Sequence, residues 1–507
     1  MSRIGNLAKE TVIYGTSSII GRSLSWLLVP LYTNFMAPAE YGIVTELYAY
    51  VAFLNVLYNY GMEIAFFRYA TRNSSDSDEV YNQVQTSIFA TTLIFSGLLI
   101  LFATPIVNYL EYPGKERYVI WFACILAIDS LVQIPFAKLR LEKKAKRFAI
   151  TKLINIGINI SLNLFFIVFC LQVSDGRLFP GLQPFINSFF HKNNLADYVF
   201  LSNLIANATL LLLLGDLLVR FRFRFSFSKL RPMYIYAFPL LITGLAGVTN
   251  EMLSRAMLKK LLPDGFYHDL SNQAALGVFG AAYKLSVFMT LSIQAFRYAA
   301  EPFFFTRSAD IDSRALFGKV MHWFIVFGCI ILLLVSLNLD IIGKLFLGRP
   351  SYREGLVVVP VLLLANLFLG IYYNLSVWYK LTDKTYWGTI ISLSGAVLTI
   401  ILNIVLIPVA GYVGSAFVTL ICYSFMSMFS YLVGQKYYPV DYTFLKDAAY
   451  IILSVVIIYI GYILLKGPFL VTKSVQILLV VLFLAVLYIT DKNNIVQLFV
   501  RIKNRLR

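Results

Sequence analysis

Long apolar runs decide the fold of this chain. Residues 330–346 read IILLLVSLNLDIIGKLF, and residues 477–489 read ILLVVLFLAVLYI. A helix needs about 20 mostly apolar residues to cross the hydrocarbon core of a membrane, and such stretches recur along the whole chain. Of the 507 residues, 59% are hydrophobic and 14% are charged, whereas soluble proteins carry about 25% charged residues. The sequence therefore predicts an integral membrane protein of the all-α class.

The apolar stretches predict fourteen transmembrane helices, which places both termini on one side of the membrane. The predicted spans are 10–35, 41–66, 83–110, 117–138, 149–172, 196–219, 232–262, 275–304, 318–338, 355–379, 387–408, 411–434, 445–466 and 474–490. No stretch between them is long enough for a soluble catalytic domain.

Basic residues decide which side the termini occupy. The chain has a formal net charge of +17, and its Lys and Arg residues concentrate in alternate connections and the C-terminal tail. Such connections include 139–148 and 220–231. Cytoplasmic loops are rich in Lys and Arg, so both termini are predicted to be cytoplasmic. Because this charge follows the loops and not a soluble polar surface, nucleic acid is not an expected partner.

A weak internal repeat divides the chain. Residues 41–54, YGIVTELYAYVAFL, align with residues 276–289, LGVFGAAYKLSVFM. The identical pairs are Gly42/Gly277, Tyr48/Tyr283 and Phe53/Phe288. The repeat separation of six spans predicts a six-helix half at 1–231, a second at 232–440 and a final helix pair at 441–507. Transporters often place the substrate path between such halves.

No pattern of catalytic residues is found. HExxH, GxSxG, P-loop and CxxC motifs are absent, and the three histidines cannot be grouped by spacing. The four cysteines lie in apolar stretches without paired spacing, so neither disulfides nor zinc are expected. The sequence thus predicts no catalytic residue, no metal and no enzyme activity. The 33 Tyr and 42 Phe residues are expected mostly at lipid-facing and interfacial positions, not as a platform for sugars.

Cations within the spans are the candidate binding residues. Arg22 lies near the middle of the first span, Arg255 and Lys284 lie in the outward halves of spans seven and eight, and Arg297 lies nearer the cytoplasm. Charged side chains are costly in hydrocarbon, so they usually face a bundle interior or a water-filled cavity. Guanidinium and ammonium groups suit phosphate. We therefore expect these residues to bind an anionic, amphipathic cargo.

Each cation also has a structural interpretation, in which it serves only in a local ion pair. The alternative pairs are Arg22 with Asp129, Arg255 with Glu251 and Arg297 with Glu301. Proton or sodium coupling, if transport uses it, has acidic candidates in the same regions. Those candidates for coupling or charge pairing are Asp129, Glu46 and Glu251.

Several segments resemble the polysaccharide-biosynthesis flippases of the multidrug/oligosaccharidyl-lipid/polysaccharide (MOP) exporter superfamily. The similar segments are IIGRSLSWLLVPLYTNFMAPAEYGIVTEL (19–47), MEIAFFRYA (62–70), LRLEKKAKRFA (139–149), YAFPLLITGLAGVTNEMLSRAMLKKLL (236–262), LGVFGAAYKLSVFM (276–289), QAFRYAAEPFFF (294–305) and LNIVLIPVAGYVGSAFVTLI (402–421). They cover both halves in the family's order, whereas the last two helices match only in being apolar.

The resemblance implies fourteen helices, with two six-helix lobes around a central cavity. It also implies transport of undecaprenyl-diphosphate-linked oligosaccharide to the outer leaflet of the bacterial cytoplasmic membrane, for lipopolysaccharide O-antigen, capsule or a related glycan. Membrane lipids, polysaccharide polymerase and glycosyltransferases are the implied partners, and no cofactor is implied. The family's diphosphate-binding cations match Arg22, Arg255 and Lys284 by position. An Asp often precedes the family's helix-seven Arg, whereas this chain has Ser254.

Three other functions compete with this interpretation. A multidrug/cation antiporter of the same superfamily should have an acidic cavity, whereas the intramembrane charges here are mainly basic. A lipid II flippase of the superfamily would share the cationic path. A membrane-embedded glycan polymerase would need catalytic residues in its outer loops, which are sparse in carboxylates and arginines.

Overall fold

The computed structural model describes residues 20–21, 23–24, 26–72, 77–307, 312–465 and 467–506. Over these residues the chain forms α-helices with a few short 3-10 and π-helical segments, and no β-strand. The predicted all-α class is therefore confirmed for a multi-pass membrane protein.

Eight longer helices lie between residues 28 and 213 of the described chain. They are α1 Leu28–Phe35, α2 Pro38–Asn59, α3 Met62–Arg72, α4 Ser77–Leu101, α5 Ala103–Tyr109, α6 Glu116–Leu141, α7 Ala145–Leu164 and α8 Leu195–Leu213. Shorter α-helices occupy Leu171–Ser174, Gln183–Phe189 and Gly215–Val219. Pro38 stands in the first turn of α2, where its missing N–H removes no helical hydrogen bond.

The second part of the chain has longer helices. They are α9 Phe227–Leu261, α10 Asn272–Leu285, α11 Val287–Arg307, α12 Ser313–Ser336, α13 Leu339–Phe346, α14 Val359–Leu375, α15 Tyr386–Tyr437, α16 Phe444–Ile458 and α17 Phe469–Leu506. Short α-helices occupy Pro350–Arg353 and Val377–Leu381. The Ser271 hydroxyl caps α10 by accepting the amide hydrogen of Ala274.

Eleven helices in the described part of the chain are long and apolar enough to cross a membrane, or twelve if α10 and α11 form one bent span. The helix α15 contains 52 residues, which is about 78 Å at ~1.5 Å per residue and far more than one crossing requires. It breaks at Gly411, whose φ of 57° suits glycine, so it supplies the two predicted spans 387–408 and 411–434. The total of fourteen remains a prediction, since most of the first span lies outside the described residues.

The repeated glycines form a close backbone contact between the two predicted halves. A Cβ atom added at Gly277 of α10 would lie 1.9 Å from the Pro38 carbonyl oxygen of α2. One added at Gly42 would lie 2.1 Å from the Gln273 carbonyl oxygen. The backbones of α2 and α10 approach each other this closely because neither glycine has a side chain. One of the pairs in the sequence repeat, Gly42 and Gly277, therefore lies in direct contact.

A buried polar network joins the halves at the same end of the bundle. The Lys259 ammonium of α9 lies 3.6 Å from Glu46 Oε2 of α2 and donates to the Leu110 carbonyl oxygen at 2.8 Å. The Tyr112 hydroxyl donates to Glu46 Oε2 at 2.5 Å and lies 2.9 Å from Gln273 Oε1. We call Glu46, Tyr112, Lys259 and Gln273 the outer network, because the adjoining connections are predicted to face outward.

A second buried polar cluster attaches the final helices to α12. The His322 ring lies 2.5 Å from Asp447 Oδ1 through Nδ1 and 3.3 Å from Asp491 Oδ2 through Nε2. Lys446 Nζ lies 2.7 Å from Asp491 Oδ1, and the Tyr450 hydroxyl donates to Asp491 Oδ2 at 2.6 Å. The spacing of residues in the sequence could not predict this role of His322, because Asp447 and Asp491 lie more than a hundred residues away from it.

The Gly277→Ala variant should lose about 1–3 kcal/mol of stability, because its new methyl group meets backbone atoms that cannot move aside. Gly97→Ala is the matched control, since a Cβ at Gly97 meets nothing within 4 Å. Thermal unfolding of the purified proteins in detergent measures both. Equal unfolding midpoints for the two variants would contradict the proposed close packing.

Lys259→Met should destabilise the protein by about 3–5 kcal/mol, because it leaves the buried Glu46 carboxylate without its cation. The double variant Lys259→Met/Glu46→Gln should recover at least half of that loss, since no charge then stays buried. Thermal unfolding in detergent is again the measurement. A double variant that is no more stable than the single one would show that this pair does not interact as described.

Candidate functional site

A cavity of about 780 Å³ lies between helices of the two predicted halves. The N-terminal half contributes residues of the first span and of α7, and the C-terminal half contributes residues of α9, α10, α11, α14 and α15. The lining includes Gly21, Trp26, Lys152, Ile156, Glu251, Arg255, Tyr283, Lys284, Arg297, Asn366, Tyr373 and Tyr423. Three of the four predicted cations thus lie around one cavity, which we call the cationic cavity.

The charges that line this cavity are mostly positive. Among the described residues, the cationic side chains are Lys152, Arg255, Lys284 and Arg297, and the only carboxylate is that of Glu251. Sequence reasoning missed Lys152, although a lysine inside the predicted fifth span was the available signal. This excess of cations over one carboxylate makes the cavity a suitable environment for an anion.

Arg255 is buried but only partly satisfied. Its guanidinium carbon lies 3.8 Å from the centre of the Tyr283 ring, which favours a cation through its π face. Its contact with Glu251 is to the backbone oxygen at 3.5 Å, and no described carboxylate forms an ion pair with it. Arg255 Nε is buried and has no acceptor among the described residues. Such an unpaired donor is costly unless a ligand satisfies it.

Lys284 stands at a bend in the chain. The axes of α10 and α11 differ by 42° across Ser286, whose hydroxyl donates to the Tyr283 carbonyl oxygen at 2.7 Å. The bend leaves the Lys284 carbonyl oxygen available to Trp26 Nε1, which donates to it at 2.9 Å. The lysine side chain remains exposed in the cavity. The bend therefore presents the ammonium group to a ligand.

Arg297 marks the other end of the cationic cavity. Its guanidinium carbon lies 4.1 Å from the centre of the Tyr373 ring of α14. The Glu301 side chain, its alternative partner, lies outside the described residues, and so does Arg22. The residues near Arg22 in sequence, Gly21 and Trp26, line the cationic cavity.

Two of the acidic candidates lie away from this cavity. Asp129 accepts a hydrogen bond from Asn207 Nδ2 at 2.8 Å, between α6 and α8. Glu46 belongs to the outer network and is fully buried. Glu251 is the acidic candidate that lines the cationic cavity. Ion coupling by any of the three remains a prediction.

A larger cavity of about 1450 Å³ adjoins the cationic cavity. Arg68, Arg231 and Lys380 line it, and these residues lie in or beside connections that the charge pattern predicts to be cytoplasmic. Both cavities share Glu251, Leu369, Arg297, Tyr373 and Tyr423. The two cavities are therefore neighbours that share part of their walls, and the larger one lies toward the end of the bundle opposite the outer network. We call the larger cavity the vestibule.

Seven of the described tyrosines line the vestibule, a grouping that the sequence alone did not predict. The tyrosines that line it are Tyr69, Tyr236, Tyr372, Tyr373, Tyr379, Tyr386 and Tyr423. They come from four separate segments of the chain, so no local sequence pattern could have grouped them. Many other aromatic side chains are exposed on the outer surface of the helix bundle, as expected.

Comparisons with known proteins found similarity to a polysaccharide-biosynthesis family and to one curated protein. Residues 32–173 match the family described as polysaccharide biosynthesis protein. An Lsg locus protein of Haemophilus influenzae is 23% identical over 442 residues, which are 83% of this chain and 98% of that protein.

Solved transporter structures share the fold. A lipid II flippase, MurJ, in an inward closed conformation has a TM-score of 0.67 at 14% identity and covers 94% of this chain and 99% of its own. An inward-facing MATE family multidrug transporter of the MOP superfamily has a TM-score of 0.61 at 12% identity. The match covers 85% of this chain and 95% of that transporter. A MOP superfamily transporter from Pyrococcus furiosus has a TM-score of 0.53 at 12% identity. The match covers 87% of this chain and 96% of that transporter.

These comparisons confirm the resemblance that the sequence motifs predicted. The chain is a multi-pass membrane protein with the fold of the MOP superfamily transporters and a match to the polysaccharide biosynthesis protein family over residues 32–173.

Proposed function

We propose that this protein is a flippase for undecaprenyl-diphosphate-linked oligosaccharide in the bacterial cytoplasmic membrane, with both termini in the cytoplasm. The cluster of Arg255, Lys284 and Arg297 in one cavity between the halves is the observation that carries the proposal. Moving a diphosphate unassisted through hydrocarbon would cost several kcal/mol per charge. A cationic cavity lowers this cost because its charges replace part of the water around the phosphates.

The proposed mechanism is alternating access. In this proposal the head group has access from the vestibule, and the outer network together with the α2–α10 contact blocks the opposite end. The diphosphate enters through the vestibule and binds the cations, while the polyprenyl tail stays in lipid. Separation of α2 from α10 and closure of the vestibule would then release the head group outward.

The competing functions fit the site less well. An organic cation would meet the four cationic side chains of the cationic cavity with one carboxylate to balance them. A lipid II flippase would use the same cations for its diphosphate. The attached sugars must therefore distinguish lipid II from undecaprenyl-diphosphate-linked oligosaccharide as the cargo.

Arg255→Ala and Lys284→Ala, made separately, should lower the flipping rate about 10- to 100-fold. Each variant removes a charge-assisted hydrogen bond to phosphate, which contributes roughly 1.5–3 kcal/mol. Arg22→Ala should act in the same direction. The measurement is the fraction of lipid-linked oligosaccharide that reaches the outer leaflet of reconstituted vesicles over time.

Lys260→Ala is the matched control for these variants. Lys260 lies on the same helix as Arg255, is exposed, and donates to the Tyr109 carbonyl oxygen outside both cavities. Its loss should leave flipping within about twofold of the wild-type rate, since it contacts no substrate. Wild-type flipping by both Arg255→Ala and Lys284→Ala would overturn the cationic site.

Cells lacking the protein provide a test of the cargo. They should accumulate complete lipid-linked repeat units on the cytoplasmic face, and the wild-type chain should relieve this accumulation. If single repeat units reach the outer face but are not joined into a polymer, the polymerase interpretation is favoured instead. Unchanged lipid-linked sugars would favour drug export.

A further inference from the structure

We propose that the vestibule is a glycan compartment, in which tyrosine rings and neutral hydroxyl groups hold the sugars while the cationic cavity holds the diphosphate. This inference rests on the proposed function and specifies how the head group is divided between the two cavities. Four observations support it: the distribution of charge, the accessible rings, the hydroxyl groups and the junction between the cavities.

Charge is confined to the two ends of the vestibule. Arg68, Arg231 and Lys380 line its mouth, and Glu251 and Arg297 lie where it meets the cationic cavity. The rest of its described lining is neutral. A neutral oligosaccharide matches such a middle section, whereas a phosphate group would find its partners only at the ends.

Four of the seven tyrosines that line the vestibule are at least partly exposed, whereas Tyr372, Tyr379 and Tyr423 are buried. Tyr386 is 53% exposed, and Tyr236 is partly exposed with the Arg68 guanidinium carbon 4.2 Å from its ring centre. The negative π face of an aromatic ring attracts the slightly positive C–H groups on the face of a sugar ring. The phenol hydroxyl can bond sugar hydroxyls at the ring edge. Tyrosine thus matches both surfaces of a sugar.

Hydroxyl and amide side chains fill the spaces between the rings. The polar neutral residues of the lining are Ser228, Thr243, Asn250, Ser376, Thr385, Thr389 and Ser392. The Thr243 and Thr389 hydroxyls lie 2.8 Å apart and bridge α9 to α15. Because a hydroxyl group can donate and accept, this lining can follow different sugar orientations.

The junction between the cavities reproduces the order of the substrate. Tyr373 lines both cavities, and its ring holds the Arg297 guanidinium at 4.1 Å. A sugar bound at Tyr373 would therefore lie next to the Arg297 guanidinium, which both cavities share, as the covalent bond between sugar and diphosphate requires. The vestibule volume of about 1450 Å³ also exceeds the roughly 300–1,000 Å³ of pockets for drug-sized ligands.

The experiment compares two substrates in reconstituted vesicles: undecaprenyl diphosphate carrying the complete repeat unit, and the same lipid carrying only its first sugar. The measured ratio is the flipping rate of the complete repeat unit divided by that of the single sugar. The double variant Tyr236→Leu/Tyr386→Leu should lower this ratio about tenfold, because only the longer glycan reaches both rings. Arg255→Ala should slow both substrates and leave this ratio within about twofold.

Two controls separate ring contacts from general damage. Tyr236→Phe/Tyr386→Phe keeps both rings and should retain a ratio within about threefold of wild type. Tyr488→Leu changes a tyrosine that is 51% exposed on α17 outside both cavities, and should leave the ratio unchanged. If the Leu double variant slows both substrates equally or slows neither, the glycan compartment is overturned, whereas the proposed flippase function is not. Wild-type vesicles that flip neither lipid would overturn the proposed function and this inference with it.

Discussion

The contact between α2 and α10 is the constraint on which the rest of the structure depends. Gly42 and Gly277 let two helix backbones meet without intervening side chains, so α2 and α10 are in close contact at one end of the bundle. Both cavities then lie away from this contact, where the helices diverge. The buried pair of Lys259 and Glu46 lies beside it, and a buried ion pair fixes a geometry more than it stabilises a fold. The α2–α10 contact and the outer network thus define one end of the helix bundle.

One helix connects both cavities to the outer network. The 35 residues of α9 carry Tyr236 in the vestibule, Arg255 in the cationic cavity and Lys259 in the outer network. Arg255 and Lys259 are one helical turn apart, about 6 Å along the axis. Movement of α9 in response to a bound anion would therefore reach the outer network directly. The same reasoning applies to α10, where Gly277 precedes Lys284 by about two turns.

Local patterns in the sequence predicted the spans and the charged candidates because hydropathy and intramembrane charge act residue by residue. The spans 387–408 and 411–434 correspond to the two parts of α15 on either side of Gly411. Arg255, Lys284 and Arg297 were selected for being costly in lipid, and all three line one cavity. By contrast, the suggested pairing of Arg255 with the Glu251 carboxylate failed, since the Tyr283 ring takes the guanidinium instead.

The sequence alone thus determined that this is an all-α membrane protein with basic residues inside its spans and a resemblance to polysaccharide flippases. Only the tertiary structure decided which side chains share a cavity, because those contacts join residues far apart in the chain. The vestibule takes its tyrosines from Tyr69 to Tyr423, and the outer network joins Glu46 to Lys259. Helix periodicity fixes which residues share a helix face. It does not fix which faces meet, since this depends on how the whole bundle packs.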